Sequence, residues 1–194
     1  MHIKLIFPGR PMRHLEIRGK NHLIPSETLP ALAAVTPAAH MVEIADENVA
    51  PLRLDDRPDL VGITAYTFLA PRAYKIADTY RARGIPVVLG GLHVTAMPEE
   101  ALGHADAVFI GEADSTWPEF LKDLEQGTPR QIYRAHSSTD IRALPRPRRD
   151  LLDRGDTSQP HPSPQHGDAL IAALTVSTVS TGTTPVSVNV RSSQ

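Results

Sequence analysis

Gly90 and Gly91 close an apolar run, Pro86-Val87-Val88-Leu89, and form the most informative pair in the sequence. Adjacent glycines let the backbone approach a ligand closely and tolerate positive φ, although the same pair also makes a plain tight turn. His93 follows two residues on. A lone histidine in a loop is ordinarily a hydrogen-bonded residue and not a catalyst or metal ligand. Thr64-Ala65-Tyr66-Thr67 closes a second run, Leu60-Val61-Gly62-Ile63. Its hydroxyls can bond phosphate or amide groups of a ligand, or Thr67 can cap the helix that follows. Gly111-Glu112-Ala113-Asp114 closes a third, and the Glu112 carboxylate can accept bonds from ribose hydroxyls or cap a helix. Phe7-Pro8-Gly9-Arg10 closes the run nearest the N-terminus.

The elements that position these loops follow from the spacing of apolar residues. Five short runs, at 3–7, 41–45, 60–64, 86–89 and 107–110, are near-continuous, as strands covered on both faces of a parallel sheet are. Ala73, Ile76, Ala77 and Tyr80 make one apolar helical face that Gly84 stops. Thr116-Trp117-Pro118-Glu119 reads as a helix start with Thr116 as N-cap, and Gly127 ends that helix. Further helices are expected over 26–36 and, more weakly, 48–56. Strands alternating with helices at this spacing predict an α/β, Rossmann-like, doubly wound parallel five-stranded sheet over residues 1–127. Its ligand loops lie at the carboxyl ends of the strands, so Pro8, Gly9, Thr64, Tyr66, Thr67, Gly90, Gly91, His93, Gly111 and Glu112 are the expected cofactor-binding residues. Gln131-Ile132-Tyr133-Arg134 reads as a short extra strand, and 144–150, with Arg146, Arg148 and Arg149, as an extended basic linker.

Composition narrows the function. The net charge of −2 over 194 residues gives no electrostatic case for nucleic acid. No apolar stretch reaches membrane-span length, and the N-terminal run is too soon broken by Pro8-Gly9 to be a signal peptide, which predicts a cytoplasmic protein. The absence of cysteine excludes disulfides and thiolate-held zinc or iron–sulfur clusters within this chain. Neither G-x-G-x-x-G nor the P-loop motif occurs. The remaining histidines, among them His14, His22, His40, His104 and His136, show no metal-ligand spacing.

Taken in order, Asp59-Leu60-Val61-Gly62-Ile63-Thr64, the helix at 73–84, Pro86 through Thr95, Pro98-Glu99-Glu100 and Gly111-Glu112-Ala113-Asp114 resemble the cobalamin-binding domain of B12-dependent radical S-adenosylmethionine enzymes. The resemblance covers roughly 1–154 and is clearest over 59–125. It implies a Rossmann-like domain that cradles a corrinoid, its nucleotide tail threaded into the protein. By position, Thr64 resembles the Ser of a Ser-x-Leu element that meets the tail, with Tyr66 in place of Leu. Gly90 and Gly91 match a Gly-Gly element along the tail, and Glu112 sits near the tail's base or ribose. The Asp-x-His-x-x-Gly motif that supplies a lower axial histidine in another branch is absent, as it often is in the radical branch. The implied partners are a corrinoid and a radical domain that would add a [4Fe–4S] cluster and S-adenosylmethionine. Arg148-Arg149-Asp150-Leu151-Leu152-Asp153 resembles the connector to that domain.

The chain departs from the family after residue 154. The segment 155–194 is rich in Ser, Thr and Pro, holds no Lys or Glu, and is expected to lie outside the folded domain. A displaced reading frame is expected there. Taking the last base of each codon with the first two of the next permits Arg-Gly-Cys-Pro over Gly167-Asp168-Ala169-Leu170. Cysteine is also permitted at Ala172/Ala173 and Thr175/Val176, which gives the family's C-x3-C-x2-C spacing. Two other functions fit the residues: a stand-alone corrinoid carrier or sensor, and a Rossmann-type nucleotide or sugar-nucleotide module.

Overall fold

The structure is a computed structural model that describes residues 1–9, 27–135 and 141–152. Arg10, His14, His22, His136 and the whole 155–194 segment, with its displaced-frame reading, lie outside the described residues.

Six parallel strands form one sheet in the order β2-β1-β3-β4-β5-β6. They are β1 (His2–Phe7), β2 (Met41–Asp46), β3 (Leu60–Thr64), β4 (Val87–Gly90), β5 (Ala107–Ile110) and β6 (Ile132–Arg134). The five expected strands are present, and the short run at 131–134 joins the sheet in parallel beside β5 as a sixth. Alternate residues of each strand feed two cores. Ile6, Val61, Ile63, Leu89 and Val108 pack with helix α2 (Ala70–Arg81) and with α3 (Leu92–Ala96) and α4 (Pro98–Leu102). Ile3, Leu5, Leu60, Val88 and Phe109 pack on the other face, with α1 (Thr28–Val35) and α5 (Thr116–Glu125). A sheet buried on both faces needs apolar residues at every strand position, which is why the runs are continuous and not alternating. The helices after β1 and β5 cover one face, and those after β3 and β4 the other. The winding reverses between β1 and β3, and in open α/β sheets ligands bind at that reversal, beyond the carboxyl ends of the strands.

Two expectations are corrected. Residues 48–56 form no helix. The Asp46 Oδ1 accepts from the Asn48 backbone N–H at 2.8 Å and turns the chain, and Pro51 lacks the N–H a helix would need. Side chains also claim the carbonyls there: Lys4 Nζ donates to Arg53 O at 3.0 Å, and Arg83 donates to Leu54 O. Thr116 is the first residue of α5 and not its cap. Ser115 precedes it, and the Thr116 hydroxyl donates back to Ala113 O at 3.4 Å.

The basic linker also proves to be part of the fold. The Arg149 Nε sits 3.0 Å from both carboxylate oxygens of Glu27, and the Arg148 N–H donates to Pro30 O at 2.9 Å. Leu151 and Leu152 pack against the α1/α5 core. A chain ending at Ala135 should therefore be less stable than one ending at Leu152. Half-burial of two leucines is worth about 2 kcal/mol, a melting-temperature difference of roughly 5 °C in side-by-side thermal unfolding. Equal midpoints would show that the connector adds nothing to the domain.

Candidate functional site

Because all strands run the same way in register, the loops singled out above meet along one edge. Ile6 pairs with Ile63, Thr64 with Gly90, and Leu89 with Val108. Pro8–Gly9, Thr64–Thr67, Gly90–Gly91 and Gly111–Glu112 therefore project from neighbouring strand ends.

The loops are tied to one another by backbone hydrogen bonds. The Ala65 N–H donates to Gly90 O at 2.8 Å, and the His93 N–H donates to Ala65 O at 3.1 Å. Gly91 lies at φ 104°, ψ −178°, a region that only glycine enters without strain. A Cβ there would stand 2.8 Å from Ala65 O. Gly90 is different: an added Cβ would meet only Phe109 Cβ, at 3.5 Å, an ordinary contact. Gly90 therefore leaves room for a small side chain on the α1/α5 face. Gly111, at φ 81°, donates its N–H to Thr95 Oγ1 at 3.0 Å.

At the winding reversal the first loop is held by charge. The Gly9 N–H donates to Glu47 Oε2 at 2.8 Å, and Arg72 Nε donates to the same carboxylate at 2.9 and 3.1 Å. The hydrogen bond from Arg72 dominates. It outweighs the opposing effect of burial and, helped by the Gly9 N–H, holds the Glu47 pKa below the usual carboxylate range. Tyr66 fills the reversal itself, its ring 6.1 Å from Phe7 and, nearly parallel, 6.1 Å from Phe68. Thr64 is buried, Thr67 exposed, and Phe68, Leu92 and Met97 add exposed apolar surface along the edge. Glu112 and Asp114 lie half-buried at the far end. Burial first, and the Glu112 charge second, push the Asp114 pKa up. Thr67 caps no helix through its side chain, and Glu112 lies ahead of Ser115, the residue that precedes α5.

His93 is the exception among the expected site residues. Its backbone belongs to the edge, but its ring is buried against α2 and α4, with Nε2 3.1 Å from Tyr74 Oη and 3.6 Å from Glu100 Oε1. Thr95 and Tyr74 are the residues that sequence reasoning missed. Thr95 was visible only as a hydroxyl one helical turn beyond Gly91. Tyr74 lies beside the apolar positions Ala73, Ile76, Ala77 and Tyr80 and carries no motif of its own. No group of His, Asp and Glu among the described residues could hold a metal ion. Two hollows, of about 330 and 430 Å³, lie elsewhere, one between Lys4, Glu43 and Arg53 and the other between Pro86, Phe120 and Leu124.

The fold and the site define a Rossmann-like domain with a glycine-opened, hydroxyl-lined carboxyl edge. Residues 30–121 match the family model of the B12 binding domain. Over 117 residues it is 41% identical to the bacteriochlorophyllide d C-8(2)-methyltransferase of Chlorobaculum tepidum, a match covering 60% of this chain and 26% of that protein. The C-12(1)-methyltransferase of the same organism is 39% identical over 77 residues, or 40% of this chain and 17% of that protein. An uncharacterized methyltransferase of Synechocystis is 29% identical over 142 residues, or 72% and 26%. The chain thus spans about a quarter or less of the length of these relatives. Among solved structures, the N-terminal domain of a hypothetical protein of Thermotoga maritima aligns with a TM-score of 0.36 at 24% identity, covering 44% of this chain and 74% of that one. Among the described residues no helix is long and apolar enough to cross a membrane.

Proposed function

We propose that this chain holds cobalamin along its carboxyl edge as the corrinoid-binding part of a B12-dependent radical S-adenosylmethionine enzyme that transfers methyl groups. The observation that carries the reading is the room left by the missing side chain of Gly90, between the Thr64 loop and the Gly111-Glu112 turn. The donor set fits the cofactor. Hydroxyls and half-buried carboxylates suit the amide groups of a corrinoid periphery and the ribose hydroxyls of its tail, whereas the Arg72 guanidinium is already paired with Glu47. Thr64, Tyr66, Thr67, Gly90, Gly91, Gly111 and Glu112 would hold the cofactor, with Pro8 and Gly9 shaping the edge beside β1. Bound cobalamin supplies methyl-carrier or redox chemistry, and the protein's part is to orient and shield it.

The module takes in β6 and the connector packed against α1, and the chain beyond them leads toward the radical domain. That domain would bring the iron–sulfur cluster and S-adenosylmethionine, because this chain holds no cysteine. On this reading the chain alone binds and does not catalyse. The names of the similar proteins, all methyltransferases, support the reaction class.

The test is retention of hydroxocobalamin by the full chain after gel filtration, read by absorbance, in the wild type and in Gly90→Val. Valine suits a strand and its Cβ would meet only Phe109 Cβ, at an ordinary contact distance of 3.5 Å, so the variant should fold with a nearly unchanged melting temperature. Its methyl groups would fill that room, and retention should fall by about tenfold or more, the cost of a small overpacking. A folded wild type that retains a nucleotide and no cobalamin would overturn the reading.

A further inference from the structure

We infer that His93 is a positioning residue for the corrinoid site, acting through α3 on three loops and not by touching the cofactor. The inference rests on the reading above, and its geometry is independent of any ligand. The short helix α3 is tied in three directions. Toward β3, the His93 N–H donates to Ala65 O at 3.1 Å. Toward β5, Thr95 Oγ1 accepts the Gly111 N–H at 3.0 Å. Toward α2 and α4, the His93 ring engages Tyr74 Oη at 3.1 Å and lies 3.6 Å from Glu100 Oε1. Gly91 caps the same helix, so whatever fixes α3 fixes the glycine turn and the Gly111 turn together.

The ring anchors this helix to α2 and α4, its neighbours on the same face of the sheet, through Nε2. Burial first, and then the charge of Glu100 and a hydrogen bond to it, push the Tyr74 phenol up to about 12. The phenol therefore keeps its proton at neutral pH and stands between the Glu100 carboxylate and His93 Nε2, the imidazole tautomer setting which of the two rings donates. His104 stacks on the other side of Tyr74, with ring centroids 4.2 Å apart at 9°, and its Nδ1 lies 2.9 Å from Asp78 Oδ1. The phenol is thus held on its edge and on its face, which makes it a rigid post for α3. A ligand-contacting histidine would present its ring to the strand ends. This side chain is 10% exposed and points toward α2 and α4.

The experiment compares wild type, His93→Leu, His93→Gln, Tyr74→Phe and the double variant His93→Leu/Tyr74→Phe in the full chain. Two quantities are read: the hydroxocobalamin Kd, and the amide exchange rate of Gly111 in the ligand-free protein. His93→Leu and Tyr74→Phe should each raise Kd by about tenfold, and the double variant by no more than either, because both cut one interaction. His93→Gln, whose amide nitrogen can reach Tyr74, should return Kd to within about threefold of wild type. In His93→Leu the Gly111 amide should exchange faster, although the ring does not touch it. Multiplying effects in the double variant would overturn the inference. So would an unchanged Gly111 exchange rate, or a His93→Gln as weak as His93→Leu beside a normal Tyr74→Phe, which would mark the ring as a direct contact. If wild type binds no hydroxocobalamin, the functional reading fails, and the Gly111 exchange rate alone decides the positioning role.

Discussion

Gly91→Ala should abolish cobalamin retention and destabilise the chain by about 2–5 kcal/mol, the sum of backbone strain and overpacking. Both terms follow from the turn. At φ 104° and ψ −178° an alanine has no relaxed conformation, and its Cβ would stand 2.8 Å from Ala65 O, 3.0 Å from Ala65 N and 3.0 Å from Thr64 Oγ1. Two of those three atoms are backbone, so no rotamer change relieves the clash. The turn opens instead, and with it go the Ala65–Gly90 and His93–Ala65 hydrogen bonds that join the β3 and β4 loops. Urea unfolding gives the stability, and absorbance after gel filtration gives the retention. The contrast with Gly90→Val is the informative part. One glycine is required by the backbone and the other only by the space beside it, so the first variant should lose fold stability and ligand together and the second ligand alone. A Gly91→Ala chain of wild-type stability would mean that the turn adopts another conformation than the one described.

The parallel sheet was legible because burial on both faces leaves a continuous apolar signature, and because Gly84 and Gly127 end their helices at positive φ, as expected. The edge was legible for the same reason: once strands are placed, their carboxyl ends are placed. Orientation was not. His93 is next to the glycines in sequence, but the phase of a five-residue helix turns its ring into α2. Long-range polar ties were equally silent. Arg149 and Glu27 are 122 residues apart, and nothing in a basic, proline-broken stretch signals that it folds back onto α1. Lys4 is the sharpest case. A charged residue in the middle of an apolar run reads as a surface interruption, whereas it is 2% exposed and carries the 50–56 loop.

Asp56→Ala should cost about 2–4 kcal/mol at neutral pH, because it leaves the Lys4 ammonium buried without its carboxylate. Lys4 Nζ is bonded to Asp56 Oδ2 and donates to Arg53 O at 3.0 Å, and Glu43 lies 3.8 Å away. The Tyr80 hydroxyl approaches Asp56 Oδ1 at 2.7 Å. Loss of Asp56 removes the closest charge, and the Arg53 carbonyl and Glu43 compensate only in part. Burial opposes ionisation of Asp56, but the hydrogen bonds from Lys4 and Tyr80, with the Lys4 charge, outweigh it and lower its pKa. A carboxyl with a lowered folded-state pKa stabilises the fold fully above its unfolded value, about 4, and the contribution disappears as pH falls through the folded value. Urea midpoints should therefore separate wild type from Asp56→Ala most widely at pH 7 and converge as pH falls through the lowered folded-state value, below which the carboxyl is protonated in both states. Lys4→Met/Asp56→Ala, which removes the buried charge as well, should recover part of the loss. The same loop begins at Glu47, whose carboxylate holds the Gly9 N–H at the carboxyl edge of the sheet. A difference that is equal at pH 7 and pH 3 would assign the loss to packing and remove the ion pair from the account.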